Sequence, residues 1–196
     1  CHPHHADNWE PDSHKNLRIL QDNPNVVAIG ETGLDFNRNY SSQDNQIRAF
    51  EEQIQLANEL NKPLYLHERD AKDTLISLLA NQCGKEVHGV LHCFTGNRED
   101  LKAYLDLGLY IGVTGWVCDE RRGQDLQNSV RYIPDDRLLL ETDAPYLLPR
   151  TIRPRPKRNH PRYLPHIAEE VARLRGASVD QLAKQTQANT KRLFGI

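Results

Sequence analysis

Apolar residues along the chain fall into short strand-length runs separated by helical stripes. Val26-Val27-Ala28-Ile29-Gly30 reads as a buried strand ending at Glu31, and Pro63-Leu64-Tyr65-Leu66 as a second ending at His67. Gly89-Val90-Leu91 predicts a third, ending at His92, and Leu109 to Val113 a fourth, ending at Thr114-Gly115-Trp116. Arg137 to Leu140 predicts a fifth; Glu141 and Asp143 follow it, and Pro145 cannot donate to a ladder. Between the runs the period changes. Ile47, Phe50, Ile54, Ala57 and Leu60 share one face of a helix over Asn45 to Leu60. Further helices are predicted from an Asp12 or Ser13 cap to Asp22, from an Asp70 cap to Ala80, over Asn97 to Leu107, and over Gly123 to Arg131. Two helices close the chain, Leu164–Arg175 and Ser178–Phe194. Thr32 to Asp44 and Tyr146 to Pro161 read as loops.

Strands that are apolar almost throughout, each followed by a helix, predict an α/β fold with a parallel sheet covered by helices. A doubly wound sheet and a TIM (β/α)8 barrel both fit. The glycine-rich phosphate turn usual after the first strand of the doubly wound fold is missing, which favours the barrel, read as a single domain over residues 1–196. Five strands are visible, the chain contains no Met, and it opens Cys1-His2-Pro3-His4-His5. The expectation is therefore an N-terminally truncated barrel.

Composition narrows the picture little. A net charge of −2 with 27% charged residues points to no particular partner, and no apolar run approaches membrane-spanning length. Cys1, Cys83, Cys93 and Cys118 lack C-x-x-C spacing, which favours reduced thiols in the cytoplasm over a disulfide framework.

The chemistry lies at the strand ends. Four of the five runs lead into a metal-ligand side chain: Glu31, His67, His92 and Asp143. In a parallel sheet the C-terminal strand ends share one face, so these four are expected to converge. Two imidazoles and two carboxylates suit Zn²⁺, Mn²⁺ or Fe²⁺, and a site richer in oxygen donors and water suits Mg²⁺. A metal held there lowers the pKa of bound water toward about 7 and binds a phosphoryl or carbonyl oxygen. His2 and His4 form an H-x-H, but Pro3 separates them and no strand precedes, so a supporting or substrate-contacting role is expected for both. Glu141 is read as support for Asp143. Five of the nine residues Arg150 to Arg158 are basic: Arg150, Arg153, Arg155, Lys157 and Arg158. With Arg121 and Arg122 they are candidates for phosphate contact, the alternative being a solvated loop. Phe36, Tyr40, Trp116 and Tyr146 could stack on unpaired bases.

Gly30-Glu31-Thr32-Gly33-Leu34-Asp35-Phe36, Leu91-His92-Cys93-Phe94-Thr95-Gly96, Gly112 to Gly123 and Leu140-Glu141-Thr142-Asp143-Ala144-Pro145-Tyr146 together resemble the TatD family of metal-dependent deoxyribonucleases, in the expected order along the whole chain. The resemblance implies a TIM-barrel hydrolase, here without roughly its first two βα units. It implies a cytoplasmic, monomeric 3′–5′ exonuclease on single-stranded DNA or RNA with a part in DNA repair. It also implies one or two divalent ions, Mg²⁺ or else Mn²⁺ or Zn²⁺. Carried over residue by residue, it assigns Glu31, His67, His92 and Asp143 to the metal, with Glu31 and Asp143 catalytic. Two alternatives stay open: an amide or ester hydrolase using the same ligands, and a catalytically impaired fragment that binds nucleic acid.

Overall fold

The computed structural model describes residues 1–84 and 86–196. The chain forms two compact units: Cys1–His92 with Asp106–Leu109 and Leu193–Gly195, and Cys93–Leu105 with Tyr110–Arg192 and Ile196.

The first unit opens with a 3-10 segment, Pro3–Asn8, followed by α1 (Ser13–Leu20), β1 (Ile29–Asp35), α2 (Gln43–Leu60), β2 (Leu64–Arg69), α3 (Lys72–Cys83) and β3 (Gly89–Leu91). Its strands are parallel, β1 pairing with β2 from Ile29↔Leu64 to Asp35↔Arg69 and β2 with β3 from Leu64↔Gly89 to Leu66↔Leu91. Ile29, Leu34, Leu64, Leu66 and Val90 from the strands and Phe50, Ile54, Leu75 and Leu79 from the helices are fully buried. α2 begins where the Ser42 hydroxyl accepts the Asn45 amide and ends at Asn61 in the left-handed region, whose N–H closes on Ala57 and Asn58.

In the second unit α4 (Arg98–Asp106), β4 (Tyr110–Val113), α5 (Gln124–Ser129), β5 (Leu138–Leu140), α6 (Leu164–Arg175) and α7 (Val179–Phe194) continue the alternation, apart from the end residues of α4 and α7. β4 and β5 are parallel, Ile111↔Leu138 to Val113↔Leu140. Asn189 of α7 is fully buried and donates to the carbonyls of Asp135 (2.7 Å) and Leu138 (2.9 Å), fixing the start of β5. No helix among the described residues is long and apolar enough to cross a membrane.

The helical stripes and the parallel pairing agree with the sequence reading; boundaries differ where polar side chains decide them. The first strand departs most. It starts at Ile29 rather than Val26 and runs through Asp35, across residues expected to be loop. Its Gly-Glu-Thr-Gly sequence lacks an apolar period, yet it pairs because glycine permits close approach: a Cβ at Gly33 (φ +133°) would lie 2.0 Å from the His67 carbonyl oxygen. The second strand likewise runs past His67 to Arg69. α3 begins at Lys72 because Asp70 is in the left-handed region and caps nothing; Glu68 accepts the Ala71 amide instead. α1 stops at Leu20, and Asp12 makes no side-chain cap. α5 ends at Ser129 and tightens into a 3-10 turn, Val130–Tyr132.

Candidate active site

Glu31 lies within β1, where the pairing register with β2 shifts between Gly30 and Thr32, and His67 is the fourth residue of β2. The strand pairing brings the two side chains together, with His67 Nδ1 at 3.0 Å from Glu31 Oε1. The opening 3-10 segment brings His2 and His4 to the same place. His2 Nε2 is 3.4 Å from the same Glu31 oxygen, and His4 Nε2 is 2.7 Å from Asp35 Oδ2. His67 Nε2 is 3.2 Å from that same Asp35 oxygen. The result is one chain of contacts, His2–Glu31–His67–Asp35–His4, with the imidazole of His67 at its centre.

Electrostatics favour ionised carboxylates here. Burial opposes the charge on Glu31, but the His2 and His67 contacts and the neighbouring His92 outweigh it and hold the carboxyl well below its ordinary range. Asp35, whose side chain is 1% exposed, behaves alike: burial pushes its pKa up, and the Arg38 amide, His4 and His67 bring it down further. Asp35 Oδ1 accepts the amides of Arg38 (2.7 Å) and Asn37 (3.1 Å), closing the turn after β1. Buried Gln46 of α2 holds the Asp35 backbone from behind, accepting its N–H at 2.8 Å and donating to its carbonyl at 3.1 Å.

This donor set fits a divalent cation. Ligand atoms about 2.1 Å from an ion and roughly 90–110° apart lie about 3.0–3.4 Å from one another. The contacts of Glu31 Oε1 with His67 Nδ1 and His2 Nε2 match that spacing. Independently, ligand atoms of His2, His4 and His67 all lie within 4.8 Å of one another. His92, just after β3, presents its ring beside Tyr65, whose hydroxyl is 2.9 Å from His92 Nδ1 and orients the imidazole.

Asp143 belongs to the second unit, three residues past β5, and adopts the left-handed backbone region (φ +53°). Asn159, 6% exposed, donates to the carbonyls of Thr142 (2.6 Å) and Tyr146 (2.5 Å) and so ties the basic loop to the Asp143 segment. Glu141 accepts the Cys93 amide at 3.2 Å.

The basic candidates divide. Arg121 and Arg122 gather around Asp119, which also accepts both of their backbone amides, and Arg122 lies over the Trp116 ring, 4.5 Å from its centroid. Arg153 is turned onto its own loop, donating to the carbonyls of Arg150 and Ile152. Arg155, Lys157 and Arg158 are exposed. Of the aromatic candidates, Tyr40 and Tyr146 are exposed, and the Tyr40 ring packs edge-on against His4. Cys118 is buried, and burial pushes its thiol pKa up to about 12, which leaves it unreactive.

Asp35, Gln46 and Tyr65 were missed as site residues. For Asp35 a signal exists: Glu31, Gly33 and Asp35 recur at the two-residue strand period, but the Glu31-Thr32-Gly33 run has no apolar residue and reads as loop.

The family model described as TatD related DNase matches residues 1–195. A protein named 3′-5′ ssDNA/RNA exonuclease TatD from Erwinia amylovora is 54% identical over 197 residues, covering all of this chain and 76% of that protein. One of the same name from Klebsiella pneumoniae is 53% identical, with 75% of its length covered. Among solved structures, a TatD homologue from Escherichia coli superimposes with a TM-score of 0.87 at 28% identity, over 100% of this chain and 74% of that one. A TatD family hydrolase from Entamoeba histolytica gives 0.84 at 25% identity, over 98% and 72%. The fold is the α/β fold of TatD-type TIM-barrel hydrolases.

Proposed function

Because the chain belongs to the TatD-related DNase family, we propose that it is a metal-dependent 3′–5′ exonuclease acting on single-stranded DNA or RNA. The observation that carries this reading is the cluster Glu31, His67 and His2, in which imidazole nitrogens of His67 and His2 lie 3.0 and 3.4 Å from one Glu31 carboxylate oxygen. A divalent ion there, Mg²⁺ or else Mn²⁺ or Zn²⁺, would supply Lewis-acid polarisation of a phosphoryl oxygen and a water of lowered pKa. Glu31, His67 and His2 would hold that ion, with His92, oriented by Tyr65, as a further ligand. Asp35 fixes the rings of His67 and His4 through one oxygen, so His4 can serve as a support or contact substrate. Asp143, from the family motif after β5, is assigned as the remaining metal-binding carboxylate and as general base for the attacking water. Exposed Arg121, Arg155, Lys157 and Arg158 add a sequence-independent attraction for phosphate. The same reading puts the protein in the cytoplasm as a monomer, without a membrane partner and with a part in DNA repair.

The test is release of mononucleotides from 3′- and 5′-labelled single-stranded oligonucleotides, with Mg²⁺ or Mn²⁺ and with EDTA. The expected result is loss of label from the 3′ end only, abolished by EDTA. Outer partners of a metal ligand are worth 10–100-fold, so loss of a ligand in Glu31→Gln is expected to lower the rate by at least about a hundredfold. Undiminished, metal-dependent release by Glu31→Gln would show that the site is elsewhere.

A further inference from the structure

The second unit carries a cavity of about 200 Å³ that the metal cluster does not use, formed by Trp116, Leu147 and Leu148 together with Arg122, Arg150 and Arg155. Asp119 is also on its wall. Gly115 makes the floor possible: a Cβ there would lie 2.1 Å from the Leu147 carbonyl oxygen, so the loop after β5 could not approach.

Its charge is unbalanced. Asp119, 3% exposed, is shared by the side chains of Arg122 (3.1 Å) and Arg150 (3.8 Å), and by that of Arg121 (3.9 Å) from outside the cavity. At 3.8 Å the Arg150 contact is longer than a hydrogen bond, and its buried Nε has no acceptor among the described residues. Arg155 has no acidic partner among the described residues. Three guanidinium groups therefore face one carboxylate, a surplus of two positive charges beside an indole and two leucines.

We propose that this cavity binds a nucleotide through its phosphomonoester group, with the base lying against the apolar wall of Trp116, Leu147 and Leu148. A phosphomonoester carries about −1.5 to −2 charges at neutral pH, which matches the surplus; an internal phosphodiester, with a single charge, does not. Arg150 and Arg155 supply the donors, and Arg122, held by Asp119, keeps the indole in place. The choice of a nucleotide over another phosphate ester rests on the nuclease reading, whose product or phosphorylated substrate end would be the occupant.

Isothermal titration calorimetry of the whole chain in EDTA tests this with deoxyadenosine 5′-monophosphate, deoxyadenosine and inorganic phosphate. Chelator removes any contribution from the metal site. The monophosphate is expected to bind at least about tenfold more tightly than either of the others. Removing one charge-assisted donor, in Arg155→Ala or separately in Arg150→Gln, is expected to weaken it roughly tenfold to a hundredfold. Trp116→Ala should reduce it toward the affinity of free phosphate, and exposed Lys184→Ala on α7 should change nothing. Equal binding of deoxyadenosine, or unaltered affinity in both arginine variants, overturns the proposal. Equal binding of inorganic phosphate reduces the cavity to a simple anion site and overturns the nucleotide assignment. No monophosphate binding by a chain that still degrades oligonucleotides rejects this cavity and leaves the nuclease reading standing.

Discussion

Asp35 offers the sharpest quantitative test of the first unit, through the substitution Asp35→Asn. The change is nearly isosteric, and its remaining carbonyl oxygen can still accept the Asn37 and Arg38 amides. What it removes is the charge and the oxygen shared by His4 and His67, at 2.7 and 3.2 Å. The Asp35 side chain is 1% exposed but those of His4 and His67 are 28% and 20% exposed, so solvent screens these contacts in part. Hydrogen bonds to charged groups contribute about 1.5–3 kcal/mol each, and the longer contact belongs at the lower end, so a loss of about 3 kcal/mol at pH 7 is expected. For a chain of this length that is a fall in Tm of roughly 6–12 °C. The pH dependence identifies the cause. The folded-state pKa of Asp35 is depressed below its unfolded value near 4, so its ionic contribution is complete above that value and is lost as pH falls through the folded pKa. Urea unfolding of both proteins from pH 7 down to pH 3 should therefore give curves that converge below about pH 4. A stability difference that stays constant over that range, or its absence at pH 7, would refute the charge argument.

Tyr65→Phe removes only the hydroxyl that orients His92, and is expected to weaken divalent-metal affinity by about 10–100-fold with an unchanged circular dichroism spectrum. Metal present at a hundred times its Kd should raise the unfolding free energy by about 2.7 kcal/mol, and this increment should be lost in His67→Ala; an equal shift in both would place the metal elsewhere. Asn189→Ala strips donors from two carbonyls at the start of β5 and should destabilise the chain by about 2–4 kcal/mol in urea unfolding. Gly33→Ala forces a Cβ to within 2.0 Å of the His67 carbonyl oxygen, so β1 and β2 must separate. Loss of metal affinity with helical content retained is the expected result.

Much of this protein is determined by sequence alone. The stripe Phe50–Ile54–Ala57 and the closing helices follow from periodicity, because burying a continuous apolar face dominates helix placement. Glu31, His67 and His92 could be found because a parallel strand buried on both faces is apolar almost until it meets polar surroundings, although β1 and β2 run on past Glu31 and His67. Only the tertiary structure decided what stabilises the polar stretch from Glu31 to Asp35. Its pairing depends on glycines that admit a neighbouring backbone and on Gln46, eleven residues beyond Asp35, reaching back to its peptide groups. Neither contact leaves a periodic trace. The position of His2 against Glu31 was likewise hidden, since a 3-10 segment after a proline shows no strand pattern. The surplus charge of the Trp116 cavity depended on which arginines were already engaged: Arg153 is tied to its own loop's carbonyls and Arg150 is not satisfied by Asp119. Composition counts both alike, and only the fold, by setting which polar atoms find partners, separates them.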